Sequence, residues 1–446
     1  MLALSIAGTS LFLLLAGLAL LIAVGADTIG QRFRIPDLIW LILFGIVVGP
    51  VLGWIGRSAI LGVAPVVGTA VLVVILFDAG LDLRAAVLRP LLASAVAFSV
   101  VTYFASVAIA TVLADLFLFP DDPLLSLFFG AALGATSGAV AIPIANRMGL
   151  ASALRGFVHL DAAIEDAVAI VVTSILLLLV APGGGASSLD VILVVTLPIP
   201  VGIVVGVAGG IVWLLTLSRW QRRAYASLAT LGFVLAIYSV AEALHGSGIL
   251  AALLVGITIA NAPLLHRLAR WIRVIDVHES LREVQTDLAF MLRALFLFFL
   301  GALVELRNPG LLPLLDIGVL SLVLLALRYG FASILAGRHR IEFAWSSVIG
   351  GVGGRGLTSA VLLLLPLGIV AGADRLFLPG VLTIVGTDVV MTLWISLAPV
   401  PKDPPRGPGP TTGVRPWSVL EEAATNDDGR PPLPAVGPRG RPPETV

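Results

Sequence analysis

Cysteine is absent from the 446 residues, so disulfides, thiolate nucleophiles and Cys-ligated metals are excluded together. Lysine is nearly absent: Lys402, close to the C-terminus, is the only one, and a cation inside the fold must therefore be arginine or a protonated histidine. Charge of either sign is scarce. Charged residues make up 12% of the chain, about half of the ~25% usual in soluble domains. The formal net charge is zero, which gives nucleic acid or an acidic partner no electrostatic hold. Also missing are G-x-S-x-G, H-E-x-x-H, a phosphate-cradling P-loop and any His-rich metal spacing. No motif supports proteolysis or ATP hydrolysis, so the reading is of a non-enzyme without a cofactor.

What is present is apolar. Hydrophobic residues account for 59% of the chain and the mean hydropathy is +1.08, which identifies an all-α polytopic membrane protein. Segments of spanning length fall at 6–25, 36–54, 60–79, 89–117, 123–147, 156–181, 188–217, 224–243, 246–262, 286–306, 311–335, 342–370 and 377–398, which predicts about thirteen transmembrane helices. The first has no basic lead-in and no small-residue cleavage site, so it reads as a true span rather than a signal peptide. Loops after the odd spans hold fifteen arginines, from Arg32 and Arg34 to Arg338 and Arg340, against Arg57, Arg307 and Arg375 in the other set. By the positive-inside rule this predicts an outside N-terminus and a cytoplasmic C-terminus. Residues 1–399 form the membrane domain, and 400–446, rich in Pro, Gly and Arg, read as a disordered cytoplasmic tail.

One stretch breaks the apolar text: HLDAAIEDAVAIV, His159 to Val171, places Asp161, Glu165 and Asp166 inside a span. Each carboxylate at membrane depth costs roughly 2.5–3.5 kcal/mol on insertion scales, so three of them require a reason. On a helix 161 and 165 share a face one turn apart, and 166 lies about 100° round from 165. Adjacent acids repel, and a bound cation or shared protons relieve that repulsion. Arg328, in the middle of span 11, needs a permanent counter-ion; Asp161 is the candidate, which leaves Glu165 and Asp166 to exchange protons or cations.

Two spans are interrupted. Span 5 contains Gly134, Thr136, Ser137, Gly138 and Pro143; span 12 contains Gly350, Gly351, Gly353, Gly354 and Gly356, with Arg355 among them. If spans 1–6 and 8–13 are two inverted repeats, these are the fifth member of each, and matched broken helices expose backbone and helix ends to a central ion. Hard monovalent cations want oxygen ligands, which the carboxylates, Thr136, Ser137 and main-chain carbonyls offer. Asp78 at the end of span 3, Arg355 in span 12 and Asp388 in span 13 are candidates for the ion pathway, Asp388 also for facing Arg355. Glu242 and His159 read as interfacial.

The sequence resembles the monovalent cation/proton antiporter superfamily, in particular its branch of prokaryotic Na+/H+ antiporters and animal sodium/proton exchangers. The likeness runs from about Ile35 to Leu397 and is carried by IPDLIWLILFGIVVGPVLG, LFDAGLDLR, GATSGAVAIPIANRMG, DAAIEDAVAIV, HGSGILAALLVGITIAN and GGRGLTSAVLLLL. It implies that Asp166 is the cation- and proton-binding aspartate, that Asp161 pairs with Arg328, and that Thr136 and Ser137 lie in the crossing unwound segment. It also implies a homodimer, with spans 1–3 and 7–10 as scaffold and spans 4–6 and 11–13 as a moving core. Ser137 stands where the family carries aspartate and Glu165 where asparagine is usual; two adjacent acids, as in electrogenic relatives, leave the stoichiometry open. The resulting expectation is a secondary antiporter in the cell membrane that exchanges Na+, with Li+ or K+ as alternatives, for H+ at Asp166 and Glu165. A K+/H+ antiporter and a non-transporting membrane sensor or scaffold are the other readings.

Overall fold

The structure, a computed structural model, describes residues 2–33, 37–56, 60, 63–83, 91–148, 150, 152–180, 196–220, 225–268, 279–305, 311–339, 343–367 and 369–397. The tail beyond 397 and nearly all the arginines of the loop-charge asymmetry, among them Arg84, Arg222 and Arg340, lie outside these residues or have undescribed side chains. Among the described residues all regular structure is helical.

In chain order the helices are α1 (Leu2–Phe33), α2 (Asp37–Ile46, prolonged by a π-turn through Val51), α3 (Ala64–Asp82), α4 (Leu92–Leu113, likewise prolonged to Leu118), α5 (Pro123–Leu133) and α6 (Gly138–Arg147). They continue with α7 (Ser152–Val180), α8 (Pro198–Trp220), α9 (Ala226–Ala243), α10 (Gly248–Ala260), α11 (Ala262–Leu268) and α12 (Glu279–Leu303). Last come α13 (Leu311–His339), α14 (Phe343–Gly351), α15 (Leu357–Leu364) and α16 (Phe377–Leu397). Every one of the thirteen apolar segments contains helix, and among the described residues seven helices are individually long and apolar enough to cross a membrane. α7 has the length but carries the three acids. Segments 123–147 and 342–370 are each split in two, as their glycines predict.

Local chemistry explains several boundaries. Asp122 caps α5, accepting the Leu125 N–H at 3.0 Å with Pro123 at the first helical position, where a missing N–H costs nothing. Ser247 caps α10 in the same way, and Glu242, expected at an interface, accepts the Gly248 N–H at 2.8 Å. Such bonds matter in an apolar solvent, where a helix end finds no water.

The helices pack in two sets. α1, α2, α3, α8, α9, α10 and α12 pack on one another; α4, α5, α6, α7, α13, α14 and α16 do likewise, and α15 meets α3 and α5. Close approach within the first set depends on glycine: a Cβ at Gly80 or Gly256 would collide with the facing main chain, so α3 and α10 touch backbone to backbone. The outward faces carry exposed apolar side chains such as Leu13, Leu21, Val204 and Ile334, while Asp161, Glu165, Asp166, Arg328, Arg355 and Asp388 are all buried. This inside-out distribution suits a lipid solvent.

Candidate functional site

The site forms where two unwound segments cross. In the first, residues 134–137 separate α5 from α6; in the second, residues 352–356 separate α14 from α15. The Ser137 N–H donates to Gly354 O at 3.0 Å, so the segments are joined by main chain. Glycine is required at the crossing: a Cβ on residue 356 would lie 2.7 Å from Ser137 Oγ.

α7 runs past this crossing and presents its acids on two faces. Asp161 and Glu165, one turn apart, both face Arg328 of α13. The guanidinium Nη2 donates to Asp161 Oδ2 in a short contact, Nη1 donates to Glu165 Oε1 at 3.0 Å, and Nε donates to Ile349 O at 3.3 Å. Phe98 lies under the guanidinium, 5.2 Å from ring centroid to Cζ. α4 supplies hydroxyls to the same acids: Ser99 Oγ donates to Asp161 Oδ1 and Thr102 Oγ1 to Glu165 Oε1, both at 2.7 Å. The Thr136 N–H in the unwound segment donates to Glu165 Oε2 at 2.6 Å. Glu165, which the sequence left available for exchange beside Asp166, thus has both oxygens engaged. The reason is geometric: it shares the helix face of Asp161, and one guanidinium fork spans both carboxylates.

Asp166 is different. Rotated away from that face, it is 3% exposed and has no arginine partner among the described residues. Its carboxylate faces the Thr358 side chain and the Gly138 main chain, at the starts of α15 and α6, and its Oδ1 has no hydrogen-bond partner.

Arg355, buried in the second unwound segment, donates from Nη1 to Thr136 Oγ1 at 2.9 Å and from Nη2 to Ser106 Oγ at 3.2 Å. Its main-chain N–H donates to Thr387 Oγ1 at 3.1 Å. Thr136 therefore links the two arginine systems, accepting from Arg355 and donating through its backbone to Glu165. Asp388 is fully buried on α16, its carboxylate against Gly354 next to Arg355. Asp78 stands apart: half-buried at the end of α3, it accepts from Thr286 Oγ1 of α12 at 3.4 Å. Among the described residues no group of three or more His, Cys, Asp or Glu is disposed to hold a metal.

Sequence reasoning missed Ser99, Thr102, Ser106 and Thr358. The first three were legible in principle, since their spacing of three and four puts hydroxyls on one face of an otherwise apolar helix. Thr358 carried no such signal; only the crossing brings it to Asp166.

Comparisons with known proteins bear on family and fold. Residues 16–400 match the family described as sodium/hydrogen exchanger, transmembrane. Na(+)/H(+) antiporter 1 of Methanocaldococcus jannaschii is 25% identical over 398 residues, 85% of this chain and 89% of that protein. K(+)/H(+) antiporter NhaP2 of Shewanella sp. strain ANA-3 is 27% identical over 259 residues, 56% of this chain, which spans only 44% of that longer protein. Among solved structures, the sodium proton antiporter MjNhaP1 from M. jannaschii at pH 8 superposes with a TM-score of 0.67 at 21% identity, covering 85% of this chain and 92% of that one.

Proposed function

The chain belongs to the sodium/hydrogen exchanger family, and from that premise we propose that it is a secondary-active antiporter exchanging a monovalent cation, Na+ first, for H+ at Asp166. The observation that carries this reading is a buried carboxylate, free of arginine, at the crossing of two unwound segments. A proton or a cation neutralises it equally well, and the two cannot occupy it together. Competition of this kind is sufficient to couple their movements, provided the site faces one side of the membrane at a time.

Glu165 takes a different part in the proposal from the one its position suggested. Held by Arg328, Thr102 and the Thr136 N–H, it anchors the first unwound segment to α7 and α13. Asp161 and Arg328 complete that anchor. Arg355 positions Thr136, and Asp388 lies beside Arg355 as its buried acidic neighbour.

The two packing sets support a division into a scaffold, spans 1–3 and 7–10, and a core, spans 4–6 and 11–13, that moves against it. We further propose thirteen crossings in two inverted repeats, an outside N-terminus, a cytoplasmic C-terminus and a homodimer. K+ in place of Na+ is the second reading, favoured by the likeness to K(+)/H(+) antiporter NhaP2.

The test is Asp166→Asn in inverted membrane vesicles. Cation-dependent proton release by Na+, Li+ and K+ is expected to vanish for all three ions while the protein still reaches the membrane. Exchange at the unmodified rate overturns the proposal.

A further inference from the structure

Most of the oxygens near the crossing are already committed. Glu165 accepts from Arg328, Thr102 and Thr136, and Thr136 Oγ1 accepts from Arg355. Three oxygens are not: Asp166 Oδ1, Ser137 Oγ and Ser359 Oγ are buried without a hydrogen-bond partner. A buried polar atom left unsatisfied costs about 1–3 kcal/mol, and lone pairs that meet no donor are what a dehydrated cation takes up.

Thr358 joins this group from the second repeat. It is 3% exposed, lies in the first turn of α15, and its side chain faces the Asp166 carboxylate. Ser137 reaches the same region from the first unwound segment, where it meets Gly356, two residues before Thr358. A hydroxyl has one proton and two lone pairs. Facing a bare carboxylate, Thr358 donates; facing a cation on that carboxylate, it turns and offers a lone pair.

We propose that Thr358 is a direct ligand of the transported cation, completing with Asp166 and Ser137 an oxygen site drawn from both unwound segments, and that it sets the preference for small over large monovalent ions. The size preference follows from dehydration. Na+ and Li+ hold water more tightly than K+ and take fewer oxygens at shorter distances, so each protein oxygen that replaces a water carries more of their dehydration cost and losing one penalises them most. This inference rests on the exchange reading above and narrows it to a ligand set.

The experiment measures the KM for Na+, Li+ and K+ in proteoliposomes containing the full-length protein, with Asp166→Asn as the control for the site itself. Thr358→Val keeps the shape and removes the hydroxyl; it is expected to raise the Na+ KM about tenfold and the K+ KM less than about twofold. Thr358→Ser, which keeps the hydroxyl, is expected to recover most of the Na+ affinity. An unchanged Na+ KM in Thr358→Val, with Asp166→Asn inactive, overturns the ligand role and leaves the exchange reading standing. Equal losses in Thr358→Val and Thr358→Ser point to a general disturbance of the site, not to the lost lone pair, and overturn it too. Normal exchange by Asp166→Asn overturns the underlying reading instead. If Thr358→Val fails to accumulate, the Na+-induced rise in Tm of purified Thr358→Ala is compared with that of the unmodified protein. Loss of the rise supports the ligand role, and its persistence overturns it.

Discussion

Three acids within six residues of one helix have different fates because a helix turns by about 100° per residue. Asp161 and Glu165 share a face and a guanidinium; Asp166, one residue further, meets the crossing instead. Removing Arg328 strands two buried carboxylates at once. Arg328→Ala is expected to destabilise by about 3–5 kcal/mol, seen as a fall in Tm of the purified protein, because an uncompensated buried charge is left behind. Adding Asp161→Asn to that variant is expected to restore part of the loss, and no restoration argues against the pairing. Glu165→Gln keeps an acceptor for the Thr136 N–H but removes one charge from Arg328. It is expected to lower turnover while cation and proton still compete, as the dependence of Na+ KM on pH would record. In the unmodified protein that KM is expected to rise as pH falls, since protons occupy Asp166, and maximal velocity at saturating Na+ to change little.

Among the elements, the interrupted helices were the most legible. Five glycines between 350 and 356 in span 12 and the Gly-Ala-Thr-Ser-Gly run in span 5 announce breaks that the structure contains at 352–356 and 134–137. The acids of α7 were equally plain, because carboxylates in apolar text have few innocent explanations. The pairing of Asp161 with Arg328 was also legible, but the remaining partnerships were not. The reach of Arg328 to Glu165, the hydroxyl face of α4 and the approach of Thr358 to Asp166 depend on how helices distant in sequence are set against each other, which periodicity does not encode. Gly356→Ala tests the crossing: its methyl would sit 2.7 Å from Ser137 Oγ, and overpacking of this kind costs typically about 1–3 kcal/mol. The expected result is weaker Na+ binding together with a lower Tm. Gly256→Ala, at the α3–α10 contact, is expected to lower Tm while leaving Na+ KM unchanged in the folded fraction, since that contact is remote from Asp166.

For the molecule as a whole, the decisive quantity is the charge that travels. Asp161 and Glu165 share Arg328, whereas Asp166 has no arginine partner among the described residues. On the exchange reading proposed above, one sodium or one proton on Asp166 leaves the site with the same total, so a one-for-one exchange would carry no net current. On that reading, rates in proteoliposomes are expected to be insensitive to an imposed potassium-diffusion potential; a steep voltage response would mean unequal numbers of cations and protons per cycle.

The main-chain bond from Ser137 to Gly354 has a mechanical meaning. It ties the two unwound segments together where they cross, so that movement of one is coupled to movement of the other. On the exchange reading, an ion held there is carried inside one cage, not handed between two half-cages. Because the tie is peptide to peptide, a substitution weakens it by crowding, as at Gly356, and not by deleting the bonding groups.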